Sequence, residues 1–425
     1  MKRSTFIIII LIFIALIGVG MYVFIYSNSL STNTDTETTP IDGFSPFARN
    51  TIIPNTNTIS TTTTTATTST NTEIELPKLR KLSDTPVGGM SASTTRVKST
   101  NLINKYTDTT IVRFIDRGTG HIYEANDTDQ TINKISNTTL PKIYESYWNK
   151  NSNNFILRYL KENSDTITNF YAEIRPTTTG TSSSGTPFEI KGRYLSPDIN
   201  QIAVSPTGDK IFTWNIENGN GIGYISSFDE KNKTKIVDTP ITQVNISWPE
   251  TSTVTITTKG SSSASGYSYS INTKTGKMNK ILGGIRGLST KMSSDGKNIL
   301  YSAGGSKITT NLLSIKDEKV NEVIFRTLAD KCIWSTLRKT EVYCAVPTEI
   351  PLGQYPDDWY KGKVSFVDQI WFLDTVTGEV HLLANLLSLS NELIDATDLM
   401  LDQKENFLYF VNKRDLSLWS LDLNK

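Results

Sequence analysis

The chain has 425 residues, enough for two or three average domains or one large repeat fold. Lys and Arg total 43 against 42 Asp and Glu, a formal charge of +1, which removes the basic excess a general nucleic-acid binder needs. Two histidines, His121 and His381, and two cysteines, Cys332 and Cys344, leave no material for a His-rich metal centre or a four-thiolate zinc site. No cofactor and no metal is expected.

Met1–Thr5 carries Lys2 and Arg3, and Phe6–Tyr26 follows without a charged side chain. At about 1.5 Å rise per residue such a helix crosses the roughly 30 Å hydrocarbon layer of a bilayer. The spacing predicts a signal-anchor helix in residues 1–26, with the short basic end in the cytoplasm and everything after Tyr26 outside it. A cleaved signal peptide is the alternative. Its apolar region is usually shorter, and no Ala-x-Ala cleavage pattern follows here.

Residues 27–75 are dominated by Thr, Ser and Asn and end in Ser60–Thr70, a tract almost wholly Thr and Ser. Such a stretch has too little apolar surface to offset its ordering entropy and is predicted to be a disordered linker. As a flexible coil it averages about 40 Å end to end, a reach suited to standing off through a wall layer. Phe44, Phe47, Ile52 and Ile53 interrupt the polarity and suggest a short docking motif.

From residue 76 to 425 short Val, Ile, Tyr, Phe and Thr runs alternate with Gly, Asp, Asn and Ser turns, an all-β texture. Only Leu382–Leu393 suggests a helix. Ile202–Trp214, Lys291–Tyr301 and Leu399–Tyr409 share one pattern: an apolar strand, a polar turn, and a second strand containing an aromatic. Taking Tyr106, Trp148, Ser205, Trp248, Ser293, Trp334 and Leu401 as equivalent gives steps of 42, 57, 43, 45, 41 and 67 residues. The basal period is that of a four-stranded propeller blade. The two long steps hold the Thr/Ser/Gly loop Pro176–Pro187 and the loop Pro347–Lys363. The last repeat has three strands before Lys425, so residues 78–83 are expected to supply its fourth and close the ring. That predicts a seven-bladed β-propeller, with six or eight blades as alternatives because the first repeat is the least regular.

Ser293-Ser294-Asp295-Gly296-Lys297-Asn298-Ile299-Leu300-Tyr301 resembles the repeat of TolB-type, WD40-like propellers, and Ser205–Phe212 is a looser copy. The resemblance spans residues 78–425 and implies a blade, not an activity. The Gly-His and Trp-Asp signatures of eukaryotic WD repeats are absent, and an anchor and linker stand where TolB has an α/β domain. The arrangement is similar to bacterial envelope proteins with one anchor and one propeller. Quinone-cofactor propellers place a Trp where Leu282 and Leu383 stand here.

Cys332 and Cys344 are centred on Arg338 in a hairpin turn, so they face each other across paired strands. An oxidising compartment would join them, and two reduced buried thiols are the alternative. The most distinctive loop carries Tyr355, Asp357, Asp358, Trp359 and Tyr360. Carboxylates beside aromatic faces suit a cation, a sugar or a peptide amine. The same loop also reads as a plug over the end of the ring, with Trp359 in the core and Asp357 capping a turn. No nucleophile motif accompanies either histidine. The expectation is a membrane-anchored extracytoplasmic propeller acting as a non-enzymatic binding or scaffolding module on an envelope protein or wall glycan. A glycan- or peptide-processing enzyme of the wall using Asp357 and Asp358 is the alternative.

Overall fold

Each repeat folds because its apolar residues alternate along strands and Gly, Asn and Glu residues take left-handed positions in the turns between them. The structure, a computed structural model, describes residues 76–98, 106–126, 131–161, 164–176 and 188–425. The expected anchor, the linker with its Phe44–Ile53 motif, and residues 177–187 of the first long insertion lie outside these. Among the described residues no helix is long and apolar enough to cross a membrane.

The described strands form seven four-stranded antiparallel sheets. This is an all-β seven-bladed propeller. The inner strands of blades 1 to 7 are Val87–Lys98, Ile143–Trp148, Ile199–Val204, Val244–Glu250, Ser289–Met292, Cys332–Trp334 and Ala396–Leu401. Every blade is the same meander, so all inner strands start at one end of the ring, called upper here.

Blade 7 takes its outermost strand from the start of the domain. Leu79–Lys81 pairs with Leu418–Asp422 in the register Leu79 to Leu421, Arg80 to Ser420 and Lys81 to Trp419. The Leu82 and Ser83 amides continue the pairing onto the Leu418 carbonyl, at 2.7 and 3.3 Å.

The core is distributed around the ring. One apolar cluster fills each seam between neighbouring blades. The seam of blades 7 and 1, for example, packs Leu82, Val87 and Phe114 against Tyr409, Val411 and Leu418. Polar side chains reinforce the seams from below. The buried Glu405 carboxylate in blade 7 accepts from Ser335 Oγ at 2.6 Å, and from the Thr336 and Leu337 amides at 2.6 and 3.0 Å, all in the blade 6 turn.

Two sequence expectations need correction. Tyr106 begins the second strand of blade 1 (Tyr106–Asp116), not the position equivalent to Trp148 and Trp334, which end inner strands. The inner strand Val87–Lys98 is long and rich in Ser, Thr and Gly, so its hydrophobic alternation is too faint to set the phase. Leu382–Leu393 is divided: Val380–Asn385 is the outer strand of blade 6, and only Leu386–Ser390 is helical. The Asn385 side chain accepts from the Ser388 amide, and Asn391 ends the helix at φ 58°.

Cys332 and Cys344 are direct cross-strand partners and are joined in a disulfide. Closing a loop of this length stabilises the folded state by about 3 kcal/mol through loop-closure entropy. Denaturant titration of the Cys332→Ser/Cys344→Ser double variant is expected to show a loss of about that size, with the slope of the unfolding transition also altered as the denatured chain expands.

Candidate functional site

Two features occupy the upper mouth. The insertion between the second and third strands of blade 6, residues 348–367, folds inward as a plug over blades 4 to 7. Further round the ring, where blades 7, 1 and 2 meet, a cavity of about 530 Å³ stays open.

The plug is anchored by a backbone bridge. The Tyr355 amide donates to the Gly305 carbonyl at 2.7 Å, and the Gly305 amide donates to the Tyr355 carbonyl at 2.9 Å. Glycine is needed beside this bridge, because a Cβ on Gly304 would lie 2.1 Å from the Tyr355 carbonyl oxygen. Tyr355, Trp359 and Phe366 are buried against Ile308 and Leu328 in a cluster of their own. The Tyr355 hydroxyl donates to the Pro351 carbonyl at 2.6 Å, and burial pushes its pKa up, helped by the Asp358 charge.

Asp357 and Asp358 open the short helix Asp357–Tyr360, where carboxylates meet exposed amides. Both are already engaged. Asp357 accepts from the Ser262 amide at 2.6 Å and Ser261 Oγ at 3.2 Å, tying the plug to blade 4. Burial raises its pKa, but the Ser262 and Ser261 hydrogen bonds outweigh it and hold the carboxyl below its ordinary range. Asp358 accepts from the Gln354 amide at 2.8 Å and pairs with Lys363 at 3.3 Å. It too is held low, first by the Gln354 N–H. Trp359 is buried, and its Nε1 donates to Asp395 Oδ2 at 2.9 Å. The Tyr360 hydroxyl donates to Asp330 Oδ2 at 2.6 Å, and burial with the Asp330 charge drives its pKa well up. Of the five loop residues, only Tyr360 is exposed as a whole, with its hydroxyl end turned in to Asp330.

The open cavity was not anticipated from the sequence. Its walls include Arg117, Tyr144, Glu145, Asp398 and Met400. The three inner strands that border it each carry a register shift at this level: Val87/Met90, Ile143/Glu145 and Thr397/Met400. Bulges of this kind re-aim side chains. Asp398 sits in the bulge of blade 7 at φ 51°. It is exposed to solvent where it lines the cavity, with protein crowded around it. Burial pushes its carboxyl up, with Lys291 opposing and Glu145 and Asp330 adding to the push. Blades 1 and 2 approach closely here, since a Cβ on Gly88 would lie 2.5 Å from Ile143 Cγ2. The Arg117 guanidinium lies 5.0 Å from the Tyr144 ring centroid, a cation–π pair at the rim. Glu145 pairs with Arg158 at 3.0 Å and accepts from the Tyr147 hydroxyl at 2.6 Å. The mouth therefore combines an exposed aromatic, a cation and a carboxylate around one opening. The only local sign in the sequence was Gly88-Gly89 opening a strand.

His381 pairs with Glu379 at 2.8 Å on the outer strand of blade 6, and His121 Nε2 lies 3.4 Å from Thr139 Oγ1. Among the described residues no three His, Cys, Asp or Glu side chains group to hold a metal ion.

The hydrogen bonds of Asp357 generate a pH signature. A carboxyl held low in the folded state stabilises above its unfolded pKa, and the contribution disappears as pH falls through the folded value. Asp357→Asn is expected to lose about 1–3 kcal/mol at pH 7, and thermal unfolding should show the gap to the unsubstituted chain closing below about pH 4.

No protein-family model matches the chain, and no curated protein matches it. Several solved structures are similar in fold. TolB from Acinetobacter baumannii is 11% identical with a TM-score of 0.40, covering 69% of this chain and 81% of that one. Oligogalacturonate lyase from Vibrio parahaemolyticus is 9% identical with a TM-score of 0.48, covering 79% of this chain and 98% of the lyase. The β-propeller domain of the Trilobed protease from Pyrococcus furiosus is 11% identical with a TM-score of 0.39, covering 60% of this chain and 74% of that domain. At these identities the likeness concerns the fold alone. The seven-bladed propeller itself is shown by the chain's own strand order.

Proposed function

We propose that the chain is a membrane-anchored, extracytoplasmic binding or scaffolding module of the cell envelope, with the upper mouth as its docking face. In this reading residues 6–26 lie in the lipid bilayer with the amino terminus in the cytoplasm, and residues 27–75 are the spacer. The partner is an envelope protein or a wall glycan, not a nucleic acid.

The observation that carries the reading is the placement of the open cavity relative to the start of the domain. The closing strand runs upward from Leu79. The Asp422 amide donates to the Lys78 carbonyl at 2.8 Å, and Lys425 Nζ donates to the Leu76 carbonyl, so the domain begins at the lower rim. In this reading the spacer joins the domain at the lower rim, so the open mouth is at the end opposite the point of attachment. There, Tyr144, Arg117 and Asp398 combine the aromatic anchor and polar rim that recognition surfaces use. A glycan- or peptide-processing site needs carboxylates converging on free space. Asp357 and Asp358 instead spend their oxygens on Ser262, Gln354 and Lys363.

The test uses the full chain in native membranes, challenged with purified wall fragments and with envelope proteins. Retention of a component without turnover is expected. Tyr144→Ala and Arg117→Ala should each weaken it by roughly tenfold or more, and Asp357→Asn should leave it intact. Turnover of a wall fragment, lost in Asp357→Asn and Asp358→Asn, would overturn the reading in favour of an enzyme.

A further inference from the structure

Beside the plug lies a group of charges that the docking face does not use. The side chains of Lys331, Asp368 and Asp395 are each 0% exposed. Lys331 ends the single turn Ala329–Lys331 that leads into the inner strand of blade 6. Asp368 opens the third strand of that blade, and Asp395 directly precedes the inner strand of blade 7. The returning stem of the plug therefore ends at this cluster, and its outgoing stem leaves from Pro347, the ladder partner of Asp368.

Lys331 Nζ lies 2.8 Å from Asp368 Oδ2. It also donates to Asp395 Oδ1, and to the Ala396 carbonyl at 2.9 Å. The rings of Trp359 and Phe366 flank the amine, each with its centroid 5.2 Å away. The two carboxyl groups are held unequally. Asp395 accepts from Trp359 Nε1 at 2.9 and 3.2 Å and from the Phe366 amide at 3.0 Å. Asp368 Oδ2 accepts from the Ala396 amide at 2.6 Å, whereas Asp368 Oδ1 is buried without a hydrogen-bond partner. Burial pushes the Asp368 carboxyl up to about 6, with Lys331 pulling it down and Asp395 pushing it up. A buried carboxyl with one unpartnered oxygen, beside an amine and a second carboxylate, has the parts of a dry condensation site.

We propose that Lys331 and Asp368 join in an intramolecular isopeptide bond, with Asp395 carrying the proton. A proton passes from the Lys331 ammonium to the Asp368 carboxylate, leaving an amine and a carboxylic acid. The Nζ lone pair attacks Asp368 Cγ, forming the C–N bond. Asp395 takes a second proton from the nitrogen and delivers it to the departing hydroxyl, whose C–O bond breaks. The ammonium has given up two hydrogens and the carboxylate one oxygen, so one water leaves and a secondary amide remains. No oxidant or other reactant enters. The aromatic cover excludes the bulk water that would favour the free pair. The product clips residues 332–367 into a closed loop, fixing the returning stem of the plug to the turn that leads into blade 6.

The test is mass spectrometry of the unsubstituted full chain after reduction and alkylation, so that the Cys332–Cys344 bridge contributes nothing. The expected digest lacks tryptic cleavage after Lys331 and contains a branched peptide, lighter by one water, that joins Lys331 to Asp368. Lys331→Arg and Asp368→Ala should each abolish the branch, and Asp395→Ala should leave the pair unlinked. Linear peptides with unmodified Lys331 as the main species would overturn the proposal. A branch at Asp395 in place of Asp368 would overturn the assignment. The unsubstituted chain alone decides, whatever the variants do on folding.

Discussion

A propeller has no central core. Each sheet is stable because it packs against the next, and the series ends well only if its last sheet meets its first. In this chain that requirement falls on a short ladder: Leu79, Arg80 and Lys81 against Leu421, Ser420 and Trp419. The ladder completes blade 7 and covers an edge that would otherwise be open to other chains. It also brings Leu82 into the seam with Phe114 and Tyr409, so that ring closure and apolar burial are one event. Because the closing strand rises from the lower rim, the same few residues fix which end of the ring lies opposite the start of the domain.

The upper end is asymmetric as a consequence of one insertion. The plug in blade 6 spends its aromatics and its two adjacent carboxylates on holding itself down, through Gly305, Ser262 and Asp395. The arc left uncovered is lined by strands with bulges, where side chains are turned into the opening instead of along the ladder. In the proposed reading, the anchored plug on one side and the open cavity on the other give the docking face its shape.

Much of the architecture was legible because it repeats. Ser293–Tyr301 and Ile202–Trp214 mark a strand, a turn and a strand by local chemistry alone, and the missing fourth strand of the last blade pointed to residues 78–83. Blade 1 was misphased at Tyr106 because its inner strand is Ser- and Thr-rich and reads as loop. The loop Tyr355–Tyr360 stood out by composition, but what Asp357 does depends on Ser261 and Ser262, nearly a hundred residues away in sequence. The cluster of Lys331, Asp368 and Asp395 was invisible for the same reason. A lysine after Ala329-Asp330 reads as surface, and only the fold brings two aspartates and two aromatic rings around it. Asp395 between Ile394 and Ala396 was the one local sign that a charge was being drawn inward.

Amide hydrogen exchange of residues 79–82 tests ring closure most directly. The account predicts that these amides exchange as slowly as those of Leu418–Asp422, their partners in blade 7, and that the two segments lose protection together as denaturant is added. Residues 79–82 exchanging at the rate of an open chain, while Leu418–Asp422 stays protected, would contradict it.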